Sequence, residues 1–326
     1  MTDNVQDNNT MNNILVRFGS KENDIISIAQ LRLMEPEARK TLLGENESKW
    51  GAIDKLYKIN EKEHLFDGFS DPPTLDFITK ISEQDKKRGK GGNYNPQNNT
   101  LIVENKETTD LTLATIAHEL KHAQQMQGDM FKIFTGEIKT NPREKLQLKF
   151  LTEAQAFAFD SYVYYKASDG NTNFMGNGNY YQKNEKSFEP IEKILKDNPE
   201  TSWQNIEGKL INAWLNVLYE GKALGYRNKY LDGHSLDPQN TTLKKIPESF
   251  HLSESVSQEE LLTKLAQAPL TPTTKEKKTL RTFLLKATQE GKNDPRNQMP
   301  TNTEKKTIFP QWLKNPSWLW RKNNQK

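Results

Sequence analysis

The chemistry of this chain is most visible at His118, Glu119 and His122, which form a His-Glu-x-x-His pattern. Two histidines four residues apart on a helix point to the same side, so both imidazoles can reach one metal ion. The glutamate between them could then act as the general base that deprotonates a metal-bound water. Nitrogen and oxygen ligands with one open position are typical of a hydrolytic zinc site. The alternative is a pair of merely solvated histidines.

The pattern lies in a segment with the signals of a helix. We predict this helix from Thr108 to Gln127, because Thr108 offers an N-cap hydroxyl and Gly128 a stop. At helical spacing the apolar residues share one face, and the two histidines lie almost opposite to it. The apolar face comprises Leu113, Ile116, Leu120 and Ala123.

A second helix is predicted from Arg143 to Lys166, after the start signal Asn141-Pro142. Glu153 lies on the apolar stripe of this helix, where a carboxylate is costly unless it is paired or binds a cation. Glu153 could therefore be the third ligand, or it could form a salt bridge with Lys149. Asp160, two turns further on, could accept a hydrogen bond from a ligand histidine.

A short β-branched run, Thr100 to Glu104, follows turn signals at Tyr94-Asn95-Pro96. We predict a strand here, either an edge strand that holds an extended peptide by backbone pairing or an ordinary edge strand. Further helices are predicted over 74–83, 188–196, 202–224, 258–267 and 275–290.

These residues carry a family resemblance. The strand Leu101-Ile102-Val103, the helix with His118 to His122 and the Glu153-Ala154-Gln155-Ala156 segment together resemble the glutamate-type zincin metallopeptidases. They are most similar to a group of uncharacterised bacterial metallopeptidases, over about Leu65 to Tyr230.

The resemblance implies an α+β, mostly helical fold with a short sheet whose edge strand lines the cleft. It also implies one Zn²⁺ per chain, with His118, His122 and Glu153 as its ligands and Glu119 as the general base.

Two departures narrow the resemblance. Gln125 and Gly128 stand where metzincins carry a glycine and a histidine, so that subgroup is excluded. Phe157 stands where many glutamate zincins have an aspartate, a role that Asp160 could fill. The residue that stabilises the oxyanion has only chemical candidates, which are Tyr162, Tyr165, Tyr226 and His234.

The composition is polar for a chain of 326 residues, with 33% hydrophobic residues and a mean hydropathy of −0.90. We therefore expect a core with solvated ends. We divide the chain into a disordered N-terminus (1–13), an N-terminal packing element (14–64), the metallopeptidase domain (65–235) and a basic, loop-rich extension (236–326). We expect no transmembrane segment and no conventional signal peptide, and the absence of cysteine excludes disulfides and cysteine ligands.

Charge is concentrated near the C-terminus. From Thr273 to Lys326 there are thirteen Lys and Arg against four Asp and Glu, and three of the six tryptophans lie in the last fifteen residues. Such a tail suits weak contact with a partner or a membrane surface, or it folds back onto the domain. We find no clear nucleic-acid site.

We interpret the chain as a zinc metalloendopeptidase-like hydrolase that acts on a protein or peptide substrate. The alternative is a catalytically silent, zinc-stabilised binding module that acts through its Trp-containing tail. A bacterial effector delivered by a dedicated secretion apparatus is a narrower hypothesis, based on analogy. The sequence leaves the location open between the cytoplasm and secretion without a conventional signal peptide.

Overall fold

A computed structural model describes most of the chain before residue 269. The described residues are 10–21, 24–66, 69–83, 91–104, 108–172, 185–220 and 242–268. Tyr226, His234, the predicted helix 275–290 and the tryptophans of the tail lie outside these ranges. The division of the chain into the four segments 1–13, 14–64, 65–235 and 236–326 stays a prediction.

The described residues form a mostly helical α+β fold with one mixed sheet, as predicted. The five strands are β1 (Leu15–Arg17), β2 (Ile25–Ser27), β3 (Thr74–Asp76), β4 (Gly92–Asn95) and β5 (Thr100–Val103). Their order is β2-β1-β3-β5-β4, in which β1, β3 and β5 run parallel. The outer strand β2 pairs antiparallel with β1, and the outer strand β4 pairs antiparallel with β5.

Nine helices of α type lie among the described residues. They are α1 (Ile28–Leu33), α2 (Pro36–Leu43), α3 (Glu47–Glu63), α4 (Thr109–Gln125), α5 (Asp129–Thr135), α6 (Pro142–Ala167), α7 (Glu185–Asp197), α8 (Trp203–Glu220) and α9 (Gln258–Ala266). Short 3-10 helices are Thr10–Asn13, Gly44–Asn46 and Glu248–Phe250. The helices predicted over 188–196, 202–224 and 258–267 are confirmed as α7, α8 and α9, although residues 221–224 lie outside the described ranges.

One row of side chains crosses the sheet and joins it to the helices. The backbone register aligns Val16 with Leu75, Leu75 with Leu101, and Leu101 with Tyr94. All four side chains are buried in the hydrophobic core that also contains the apolar face of α4. Because these strands have only three or four residues each, their stability depends on this burial more than on ladder hydrogen bonds.

Two predictions about this sheet are wrong. The segment 74–83 was predicted to be a helix, but Thr74–Asp76 is the central strand β3, paired with both β1 and β5. Asp76 then accepts hydrogen bonds from the backbone N–H groups of Ile78 and Thr79, which turns the chain away from the strand.

The second correction concerns the edge of the sheet. The predicted strand at Thr100 exists as β5, but it is an inner strand, and the edge next to it is β4. The residues Tyr94-Asn95 belong to β4, although the sequence indicated a turn there. The short strand has too few residues for an alternating pattern to outweigh the Asn and Pro signals.

The helices that carry the His-Glu-x-x-His pattern and Glu153 begin where predicted. The Thr108 hydroxyl accepts a hydrogen bond from the backbone N–H of Leu111, and the Asn141 side chain accepts one from Glu144. The apolar face of α4 is fully buried, and Ala154 and Ala158 on α6 are fully buried where small side chains allow close packing.

No helix among the described residues is both long and apolar enough to cross a membrane.

The N-cap of α4 should contribute to stability. Thr108→Ala should lower the free energy of unfolding by about 1 kcal/mol, because it removes the acceptor of an exposed helix N–H. Thr115→Ala is the matched control, since the Thr115 hydroxyl donates to the Leu111 carbonyl within the helix and caps no helix end. Chemical denaturation checks both variants, and equal losses would contradict the capping role.

Candidate metal centre

Two histidines and one carboxylate converge between α4 and α6. The Nε2 atoms of His118 and His122 lie 3.1 Å apart, and Oε2 of Glu153 lies 3.9 Å from each of them. The point in their plane that is equidistant from the three atoms lies about 2.1 Å from each, which is the length of Zn–N and Zn–O bonds. This group could hold a metal ion.

The ring of His118 is oriented by Asp160. The Nδ1–H group of His118 donates to Oδ2 of Asp160 over 2.8 Å. The hydrogen bond predicted for Asp160 is therefore confirmed. Phe157 packs edge-on against the His118 ring with centroids 4.6 Å apart and stacks on Trp214. The aromatic pair thus limits rotation of the ring that Asp160 orients.

The ring of His122 is oriented by Gln125, a residue that the sequence analysis did not assign to the site. Nδ1–H of His122 donates to Oε1 of Gln125 over 3.0 Å. The amide orientation is set because Nε2 of Gln125 donates to the carbonyl of Thr152. The spacing of three residues on one helix is the signal that could have identified Gln125.

Both imidazoles therefore present an Nε2 lone pair to the same point. Each Nδ1 faces an acceptor oxygen and carries the proton, so two lone pairs and a carboxylate oxygen converge at 3.1 to 3.9 Å. Such an arrangement needs a cation, which is either a proton or a metal ion. The donor set of two imidazoles and one carboxylate suits zinc.

The pKa values of the two histidines diverge. Burial lowers the pKa of His118, but the hydrogen bond and charge of Asp160 outweigh it and raise the pKa to about 9. Burial and the positive charge of His118 lower the pKa of His122. Burial raises the pKa of Asp160 to about 6, against the opposing influence of His118. Without a metal ion, the shared proton therefore belongs to His118, and His122 accepts it through Nε2.

The carboxylate of Glu119 is held against the edge strand. It is buried, and its Oε2 accepts a hydrogen bond from the backbone N–H of Tyr94 over 2.9 Å. A Cβ atom on Gly92 would lie 2.6 Å from Cγ and 2.8 Å from Oε1 of Glu119. Only glycine therefore leaves room for this carboxylate at β4. Neither contact was predicted from the sequence, because Tyr94-Asn95-Pro96 has the signals of a turn.

Two of the four candidates for oxyanion stabilisation, Tyr162 and Tyr165, are among the described residues. The hydroxyl of Tyr162 donates to the carbonyl of Thr201, and its pKa is raised by burial and by Glu63. The ring of Tyr165 lies against Gly170. Tyr226 and His234 lie outside the described residues.

Comparison with known proteins points to the same chemistry. A family described as "Putative metallopeptidase family (DUF6782)" matches residues 60–173, about a third of the chain, and this segment contains His118, Glu119, His122 and Glu153. Searches of curated proteins and of solved structures gave no match. The family match indicates a metal-dependent peptidase, which would act on protein or peptide substrates.

The protonated state of His118 predicts a pH-dependent metal affinity. A metal ion that binds here must displace the proton of His118, whose pKa is raised to about 9. Metal affinity should therefore rise about tenfold per pH unit between pH 6 and pH 8. Calorimetric titration in buffers of different ionisation enthalpy would measure the release of about one proton per site.

Asp160→Asn is the control for this titration. The amide oxygen can still accept the Nδ1–H of His118, but the negative charge that raises the pKa of His118 is lost. Proton release on metal binding at pH 7 should therefore fall. An affinity that stays constant over this pH range in the unaltered protein would contradict the shared-proton arrangement.

Proposed function

We propose that this protein is a zinc-dependent metalloendopeptidase, with His118, His122 and Glu153 as ligands and Glu119 as general base. The observation that carries the proposal is the convergence of two Nε2 lone pairs and one carboxylate oxygen on one point. The match to a metallopeptidase family over residues 60–173 supports the same reaction class.

The three ligands have complementary roles in holding the ion. His118 and His122 supply neutral nitrogen donors whose tautomers are set by Asp160 and Gln125. Glu153 supplies a negative charge, so a divalent ion and its three ligands would together keep a net positive charge. A zinc ion there would supply Lewis acidity, which polarises a carbonyl and lowers the pKa of a water molecule.

Glu119 is proposed to move the proton. Its carboxylate takes a proton from the attacking water as the new carbon–oxygen bond forms, and then delivers it to the amine nitrogen as the carbon–nitrogen bond breaks. The hydrogen bond from Tyr94 holds one carboxylate oxygen and leaves the other for this transfer. Its electrostatic influence on both histidines is consistent with a position beside the ligands.

The substrate is proposed to lie along β4. This strand is the outer one of the sheet beside β5, and its Tyr94 N–H is turned toward Glu119 rather than toward β5. An extended peptide that paired with β4 would therefore pass the carboxylate of Glu119. Backbone pairing of this kind binds a peptide largely independently of its side chains.

The first experiment is metal analysis by mass spectrometry. The purified protein should contain about one zinc ion per chain, and His118→Ala and Glu153→Ala should each lose it, because two remaining ligands cannot hold zinc tightly. Asp129→Ala is a suitable control, because Asp129 is an exposed acidic residue on α5. Full zinc content in either ligand variant would contradict the three-ligand site.

The role of Glu119 can be separated from metal binding. Glu119→Gln should keep its zinc but lose at least about a hundredfold in kcat, since the amide cannot accept the water proton. Cleavage of a quenched fluorescent peptide library would measure this loss. A variant with unchanged kcat would contradict the mechanism, whereas unaltered protein that binds zinc and cleaves nothing would favour the silent binding module.

The glycine at β4 offers an independent test of the same carboxylate. Gly92→Ala should preserve zinc content and lower kcat by about tenfold or more, because the new Cβ displaces Glu119. Gly51→Ala is the matched control, since the nearest atom to its added Cβ is Cγ2 of Thr109 at 3.7 Å, an ordinary contact. Equal kcat in the two variants would contradict the placement of Glu119.

A further inference from the structure

A chain of buried side chains leads from His122 away from the metal centre. Gln125 accepts from Nδ1 of His122 over 3.0 Å, Gln125 donates to Oε1 of Gln155 over 2.8 Å, and Gln155 donates to Oε1 of Glu207 over 2.7 Å. Gln125, Gln155 and Glu207 are all fully buried. The chain crosses from α4 through α6 to α8.

The direction of these hydrogen bonds is set at the far end. Oε1 of Glu207 accepts the hydrogen bond from Gln155, so Gln155 turns its NH₂ group toward Glu207. The other hydrogen of this group goes to the carbonyl of Phe250, which also only accepts. The second oxygen of Glu207 accepts from both the backbone N–H and the hydroxyl of Ser253. The amide oxygen of Gln155 therefore faces Gln125.

The same logic continues to the metal centre. Because Gln155 presents its oxygen, Gln125 must present its NH₂ group to Gln155 and to the carbonyl of Thr152. The oxygen of Gln125 then faces His122, whose Nδ1 must carry the proton. Nε2 of His122 is left with its lone pair toward the metal centre.

We infer that Gln125, Gln155 and Glu207 form a directional hydrogen-bond relay in which Glu207 is a remote positioning residue for His122. The inference rests on the proposed function, since it takes His122 as a ligand. Glu207 and Phe250 lie outside residues 60–173, so the relay makes the matched segment depend on α8 and on the segment around Phe250. Nearby, the buried Lys121 interacts electrostatically with Glu207 and supplies the opposite charge.

Glu207→Gln tests the relay with little change of shape. The new amide can offer its oxygen to only one side, and the two donors of Ser253 compete with one donor of Gln155. Two NH₂ groups would then face each other, and rotation of Gln155 and Gln125 would relieve this. Each rotation loses a hydrogen bond to a backbone carbonyl, so a mixture of His122 tautomers is expected rather than complete inversion.

The measurement is nitrogen-15 NMR of the histidine rings in metal-free protein, which has five histidines to distinguish. His122 is assigned from the signal that disappears in His122→Ala. In unaltered protein His122 should carry its proton on Nδ1, and in Glu207→Gln a substantial fraction should carry it on Nε2. Zinc affinity should fall by about tenfold.

Two controls separate the relay from general damage. Ser253→Ala disturbs the same buried cluster but retains the carboxylate, so His122 should keep its tautomer. The Nδ1 signal of His118, which donates to Asp160, should be unchanged in every relay variant, whereas its Nε2 signal should follow the tautomer of His122, because the two Nε2 atoms lie 3.1 Å apart. Folding of each variant is checked by cooperative thermal unfolding.

The outcomes distinguish the relay from the proposed function. A proton on Nε2 of His122 in the unaltered protein would overturn the relay, and this result needs no variant. An unchanged tautomer and zinc affinity in folded Glu207→Gln would also overturn it, although zinc binding and peptidase activity would survive. A tautomer that responds to Glu207 in a protein that binds no zinc would support the relay and reject the proposed function.

Discussion

Two imidazoles, those of His118 and His122, direct their Nε2 lone pairs to one point with the nitrogen atoms only 3.1 Å apart. Two such nitrogen atoms repel each other unless a cation lies between them, and burial increases the cost. The carboxylate of Glu153 adds the charge that favours a cation there. The protein holds this arrangement because Asp160 and Gln125 fix the opposite side of each ring.

Three layers of the fold supply this constraint. The sheet supports α4 through a row of buried apolar side chains, and its edge strand β4 holds the carboxylate of Glu119. Helix α6 packs on α4 through small residues and brings Glu153 and Asp160 to the histidines. Helix α8 packs against α6, where Trp214 stacks on Phe157. Its Glu207 accepts the hydrogen bond from Gln155, the last one in the chain of side chains that starts at His122.

Several buried polar groups surround the site, and their hydrogen bonds explain why they are tolerated. Gln125 and Gln155 are fully buried, yet each uses its amide oxygen and its NH₂ group. A fully satisfied network of this kind restricts the core to one arrangement, whereas a partly satisfied one would be costly. Functional orientation of the metal ligands and specificity of packing are therefore properties of the same hydrogen bonds.

The two helices and the three candidate ligands could be predicted from the sequence, because caps, apolar periodicity and the His-Glu-x-x-His spacing are local patterns. The sequence did not reveal that Thr74–Asp76 is the central strand or that β4 is the edge strand. Only the tertiary structure placed Tyr94 on Glu119, 25 residues away, and joined Gln155 to Glu207 across 52 residues. Such contacts depend on how separate elements pack, and local sequence patterns do not predict that packing.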